Sequence, residues 1–188
     1  LAKPTKVHFQ GVKRILRYLK ATFHYGLHIK PIGPLQFMAF TDDDWATDID
    51  DRKSMGGTLF FFGCSKKQKV VSRSSFESEY RSLSDGAAKL KWLNSLMTKI
   101  GLFIRCPSII WCDNLSAQAL ASNSIHHARS KHIEIDVHFI CDQVLSGSIK
   151  VQYVASSHQI ADCFTKALSH TQFSYFRNKL GVCLTPSR

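Results

Sequence analysis

No C-x-x-C pair occurs in this sequence, although it holds six cysteines, at positions 64, 106, 112, 141, 163 and 183. The scatter argues against a zinc knuckle and offers no disulfide framework, so the thiols are expected to be reduced and partly buried in an intracellular protein. No apolar run approaches the roughly 18 to 20 residues that a membrane span requires, and nothing resembles a signal peptide. Internal repeats and low-complexity tracts are missing too. Acid is scarce: 14 Asp and Glu stand against 25 Lys and Arg, for a formal net charge of +11. That balance favours a polyanionic partner, nucleic acid before an anionic membrane, because no basic amphipathic helix comes with lipid-facing aromatics. At 188 residues and 44% hydrophobic content, the chain is long enough for one domain with a core of its own. Leu1 is not an initiator, which predicts a piece of a longer polypeptide.

The scarce acids are not spread evenly. "AFTDDDWATDIDD", residues 39 to 51, holds six of the fourteen. Around it, hydrophobic spacing predicts a basic amphipathic helix over 6–20, with Phe9, Val12, Ile15, Leu16 and Leu19 on one side, then a short strand near 25–30. "KPIGP" at 30–34 marks a boundary between a short leading segment, 1–33, and a main domain, 34–188. Strands follow near 35–41, 55–62 and 67–72. Ser74 with Glu77 three residues on forms a capping box, and a helical stripe from Phe76 to Ile100 runs until Gly101 stops it. "SIIWCDN", 108–114, reads as a buried strand with Asp113 at its tip. Helices near 115–121 and 131–146, the latter with Ile133, Val137, Ile140, Val144 and Leu145 on one face, lead to a strand at 149–154. Two short helices, near 158–168 and 171–180, close the chain. The order predicts a mixed α/β sheet flanked by helices.

Such sheets place their chemistry at strand ends and adjoining helix starts. Asp42 follows the first core strand, Asp113 ends the fourth, Glu79 lies in the first two turns of the long helix, and Asp162 sits in the first turn of a helix after the last strand. If the first and fourth strands are neighbours, the four carboxylates converge. Crowded acids repel unless cations neutralise them, and hard oxygen donors suit Mg²⁺, which takes phosphate oxygens as its remaining ligands. This is the arrangement for in-line phosphodiester hydrolysis by two ions roughly 3.5 to 4 Å apart. The plainer alternative is a solvated turn plus aspartates that merely cap helices.

Six blocks in order, "HFQGVKRILRYLKATFHYGL", "FTDDDWATDIDDRKSMGG", "SKKQKVVSRSSFESEYRSL", "WCDNLSA", "HARSKHIEIDVHFI" and "QIADCFTKAL", resemble the ribonuclease H region of copia-type LTR retrotransposon Pol polyproteins. They span nearly the whole chain. The resemblance implies an RNase H-like five-stranded sheet preceded, in residues 1–33, by the end of a reverse transcriptase region. It implies a Mg²⁺-dependent endonuclease using two ions, with Mn²⁺ as a substitute, that cuts the RNA strand of an RNA/DNA hybrid. It assigns Asp42, Glu79 rather than Glu77, Asp113 and Asp162 as catalytic metal ligands, with Asp42 bridging both ions. Ser74, Ser75, Asn114, Arg129, Lys131 and His132 become candidate contacts to the hybrid, recognised through 2′-hydroxyls and phosphates. Helix capping accounts for Ser74 and Ser75 equally well, and a solvated helix start for the "RSKHIE" residues. His158, one turn before Asp162, is either a proton shuttle in product release or a loop histidine. Asp43, Asp44, Asp48, Asp50 and Asp51 are left mostly as turn residues. The implied setting is intracellular: cytoplasmic particles for a replicating element, with the nucleus also open, and no membrane partner.

The chain departs from that pattern between "FFFGC" and "SKKQ", where about half a dozen residues like "NLISW" are missing, so a shortened third strand is expected. Lys89 also stands where relatives commonly carry an acid. The competing readings are a decayed remnant that binds nucleic acid without turnover, and an integrase-like core of similar topology. The latter is disfavoured by the "ADCFTK" ending and by the lack of a His/Cys zinc module.

Overall fold

The computed structural model describes residues 3–28, 36–60, 63–122 and 133–184. In chain order the elements are α1 (Lys6–Thr22), β1 (Tyr25–Leu27), β2 (Met38–Asp44), β3 (Met55–Leu59), β4 (Gly63–Lys67), α2 (Ser75–Lys99), β5 (Ser108–Cys112), α3 (Leu115–Ser122), α4 (Glu134–Leu145) and β6 (Ile149–Tyr153). Two 3-10 turns (Ser156–His158 and Ile160–Phe164), α5 (His170–Lys179) and β7 (Val182–Leu184) complete the set. They divide into two compact units, residues 32–170 and residues 1–31 with 171–188.

The larger unit is built on a five-stranded mixed sheet in the order β4-β3-β2-β5-β6. β2, β3 and β4 form an antiparallel meander, while β5 and β6 run parallel to β2. The sheet matches the architecture expected from the sequence, and β2 and β5 are neighbours. The third core strand differs in position: it occupies 63–67 rather than 67–72, and its five residues pair one for one with those of β3, from Met55↔Lys67 to Leu59↔Gly63. The two arms of this hairpin are therefore matched residue for residue.

Helix α2 packs across β2 because its apolar stripe recurs at helical spacing. Tyr80, Leu83, Ala87 and Leu90 are buried with Ala39, Ile110, Val137, Ile140 and Ile149 in one core. The helix starts where the sequence predicts, but the Glu77 half of the expected capping box goes to the Arg73 amide rather than to that of Ser74. Ser74 Oγ accepts from the Glu77 amide at 3.2 Å and Glu77 Oε2 accepts from the Arg73 amide at 2.7 Å, an arrangement stabilising by about 1 kcal/mol. Gly101, at φ +82°, ends it. The Ser82 hydroxyl donates to the Asp42 carbonyl at 2.8 Å and staples helix to strand. In α4 the expected face is partly right: Ile133, Val137 and Ile140 are buried, but Leu145 is exposed.

The helix expected near 158–168 is instead the pair of 3-10 turns. Its continuity is broken at Gln159, whose fully buried side chain donates to the Thr41 carbonyl at 2.9 Å and accepts from the Ala161 amide at 3.4 Å. A tertiary hydrogen bond to β2 thus replaces regular helix and fixes the following turn beside that strand.

In the smaller unit, Thr5 and His8 cap α1 reciprocally, and none of its residues is buried. β1 pairs antiparallel with β7, Tyr25 opposite Leu184, a ladder with no counterpart in the sequence reading. The Arg177 guanidinium lies 4.6 Å from the Tyr25 ring centroid.

Candidate active site

Alternation along β2 decides which acids meet. Asp42 lies inside the strand, not after it as the sequence suggested, and is 3% exposed. Its side chain faces the second 3-10 turn, where the Thr165 hydroxyl donates to Oδ2 and the Lys166 ammonium donates to Oδ1 at 2.9 Å. Asp113 follows β5 immediately and Asp162 sits in that same turn. One carboxylate oxygen from each of Asp42, Asp113 and Asp162 lies within 4.8 Å of the others. Glu79 joins them electrostatically. Burial pushes its carboxyl up to about 7, Asp113 and then Asp42 push the same way, and a hydrogen bond from Asn114 opposes them. Burial, with Asp42 beside it, raises Asp162 to about 6 against the pull of Lys166. For Lys166 burial alone would lower the pKa, but the two aspartates outweigh it and hold the ammonium above its ordinary value.

The donor set fits a hard divalent cation. All the donors are oxygens, and three clustered aspartates against one ammonium leave excess negative charge in a poorly solvated volume. Asp42, Asp113 and Asp162 would hold the cation; Glu79, the fourth carboxylate expected from the sequence, is coupled to them electrostatically but is not one of the grouped oxygens.

The remaining sequence-nominated residues are placed less uniformly. Asn114 stands at the cluster, where its Oδ1 also accepts from the Ala117 amide at 3.0 Å and caps α3. Ser74 and Ser75 are exposed at the start of α2, with Ser74 engaged in the cap. His158 is exposed in the first 3-10 turn, 3.1 Å from the Ser157 hydroxyl. Arg129, Lys131 and His132 lie outside the described residues. Glu77 is consumed by the cap and by Arg81, 2.8 Å away.

Two corrections concern the acidic run. Asp43 is no turn residue: it lies in β2, 6% exposed, on the α2 side, accepts from Gln68 at 2.8 Å, and is raised to about 6 chiefly by burial. Asp44 belongs to the same strand. Only Asp48, Asp50 and Asp51 form the turn, where Asp48 Oδ1 accepts two backbone amides and Lys67 bridges Asp48 and Asp51 at 2.7 and 3.0 Å. Sequence reasoning also missed Thr165, Lys166 and Ser156, whose hydroxyl donates to Asp113 Oδ2 at 3.0 Å. The four-residue offset between Asp162 and Lys166 was the available signal.

No family profile matches the chain. Whole-sequence comparison does: the chain is 44% identical over 189 residues to the retrovirus-related Pol polyprotein from transposon RE1 of Arabidopsis thaliana, covering 97% of this chain and 13% of that polyprotein. The corresponding polyprotein from transposon TNT 1-94 of Nicotiana tabacum is 35% identical over 188 residues, covering 97% and 14%. The chain belongs to the Pol polyproteins of copia-type transposons. Within such a Pol polyprotein it spans only about an eighth to a seventh of the length. The Pol segment has an RNase H-like fold. LC11-RNase H1, isolated from compost by a metagenomic approach, superposes with a TM-score of 0.51 at 10% identity, covering 69% of this chain and 92% of the enzyme. The same enzyme in complex with an RNA/DNA hybrid gives 0.52 at 9% identity, covering 69% and 94%. Among the described residues of the Pol segment, no helix is long and apolar enough to cross a membrane.

Proposed function

We propose that residues 34–188 form a metal-dependent ribonuclease H that hydrolyses the RNA strand of an RNA/DNA hybrid while the element is reverse transcribed, and that residues 1–33 end the preceding reverse transcriptase region. The observation that carries this reading is the approach of Asp42, Asp113 and Asp162, with ligand oxygens within 4.8 Å, beside Glu79. The RNase H-like fold and membership among the Pol polyproteins support it. The intended setting is intracellular, in the cytoplasmic particle of an active element.

Bound Mg²⁺, as two ions or with Mn²⁺ in its place, supplies Lewis acidity to the scissile phosphate and lowers the pKa of water. The protein's part is to pre-organise the oxygens. Asp42 is held by β2 on one side and by Thr165 on the other. Ser156 orients Asp113, and Asn114 orients Glu79. Glu79, with its carboxyl near 7, releases its proton as positive charge arrives, so loading strengthens as pH rises through neutrality. Basic side chains hold the hybrid backbone, consistent with the net charge of +11.

The test is cleavage of an end-labelled hybrid by the purified chain under Mg²⁺ titration. RNA-strand products that require the metal, and that Asp113→Asn lowers at least about 100-fold, are expected. Salt-sensitive hybrid binding with no product at any metal concentration would instead reduce the domain to a binding remnant.

A further inference from the structure

The carboxylate cluster is lopsided. On one side, Lys166 Nζ lies 2.9 Å from Asp42 Oδ1 and 3.0 Å from Asp162 Oδ1, bridging side chains that are 2% and 10% exposed. On the other side the close partners of Asp113 and Glu79 are neutral, the Ser156 hydroxyl and the Asn114 amide. An ion bound to both Asp42 Oδ1 and Asp162 Oδ1 would take oxygen distances of about 2.1 Å. The ammonium already fills that position, so both cannot occupy it. Lysine is suited to yield. Its charge is compact, its stem is flexible, and the Lys166 side chain is 36% exposed, which leaves a route to solvent.

We propose that Lys166 is a positioning residue, the resident counter-ion of the Asp42–Asp162 half of the cluster. A divalent ion enters on the Asp113 side of the cluster first and takes the Asp42–Asp162 side only by displacing the lysine. Until then Lys166 holds together two buried carboxylates from distant parts of the chain, keeping the second 3-10 turn docked on β2. This rests on reading the cluster as a metal site.

Calorimetric titration of the whole chain with Mg²⁺ and with Mn²⁺, without substrate, compares wild type, Lys166→Met and Lys166→Arg. Removing a cation about 3 Å from two ligands should tighten the weaker binding step of Lys166→Met by at least about tenfold, or make a second step visible. The first step should move far less, and Lys166→Arg should follow wild type. Identical isotherms for wild type and Lys166→Met would overturn the inference while leaving the metal site standing. No ion bound by any of the three would overturn both. The ¹⁵N signal of the Lys166 ammonium in wild type gives a readout independent of any variant's folding: protected without metal, it should be lost as the second ion binds. Protection that persists at saturating metal would refute displacement.

Discussion

Asp42 and Asp43 are adjacent, both acidic and both buried, yet they belong to different regions of the molecule. The pleat of β2 turns Asp42 toward the second 3-10 turn, into the company of Lys166 and Thr165, and Asp43 toward α2 and Gln68. Their partners across the ladder differ in the same way. Gly57, opposite Asp42, sits where an added Cβ would meet Ala161 O at 3.2 Å and would overlap Thr165 Cγ2. Gly56, opposite Asp43, would place its Cβ at an ordinary 3.5 Å from Asp43 Oδ1. Burial and charge thus do not tell a carboxylate of the proposed metal site from a structural one. The face it points to does.

The largest effect should separate the two acids directly. Asp42→Asn is expected to lower hybrid cleavage by at least about 100-fold, whereas Asp43→Asn should stay within about threefold of wild type; equal losses in initial rate would break the comparison. Next comes pH. Glu79 at about 7 and Asp43 and Asp162 at about 6 all lie above their unfolded values. The folded state therefore holds more protons, and its stability is fully present below about pH 4 from these groups and lost as pH rises through 6 to 7. Thermal melts of the metal-free protein should fall by several degrees across that window. Added Mg²⁺ should restore the loss due to Glu79 and Asp162, and Asp43→Asn should flatten the part that metal does not restore. A flat profile would contradict the charge crowding. The smallest effects lie with the glycines. Gly57→Ala should cost about 1–3 kcal/mol in urea unfolding by pushing on the 3-10 turn, and Gly56→Ala less than about 1 kcal/mol.

What could be read in advance was whatever local sequence decides. The capping box and stripe specify α2 nearly to the residue, and the apolar run ending at Asp113 specifies β5, so Glu79 and Asp113 were placed on the right elements. Pairing across the chain was harder. The third strand shifted from 67–72 to 63–67 because a ladder with β3, not strand propensity, sets its position. The helix at 158–168 gave way to 3-10 turns because a buried Gln159 bonds Thr41, 118 positions away. Lys166 was not singled out, since only the fold brings Asp42 within its reach, 124 positions away.

β4 forms the outer margin of the sheet, and Lys66 and Lys67 stand exposed along it. Unsatisfied backbone groups on such a margin invite a foreign strand to add on, and charged side chains there, including the Lys67 ion pairs with Asp48 and Asp51, make that addition costly. Replacing both lysines with threonine is therefore expected to make the open flank of this hairpin more prone to strand addition.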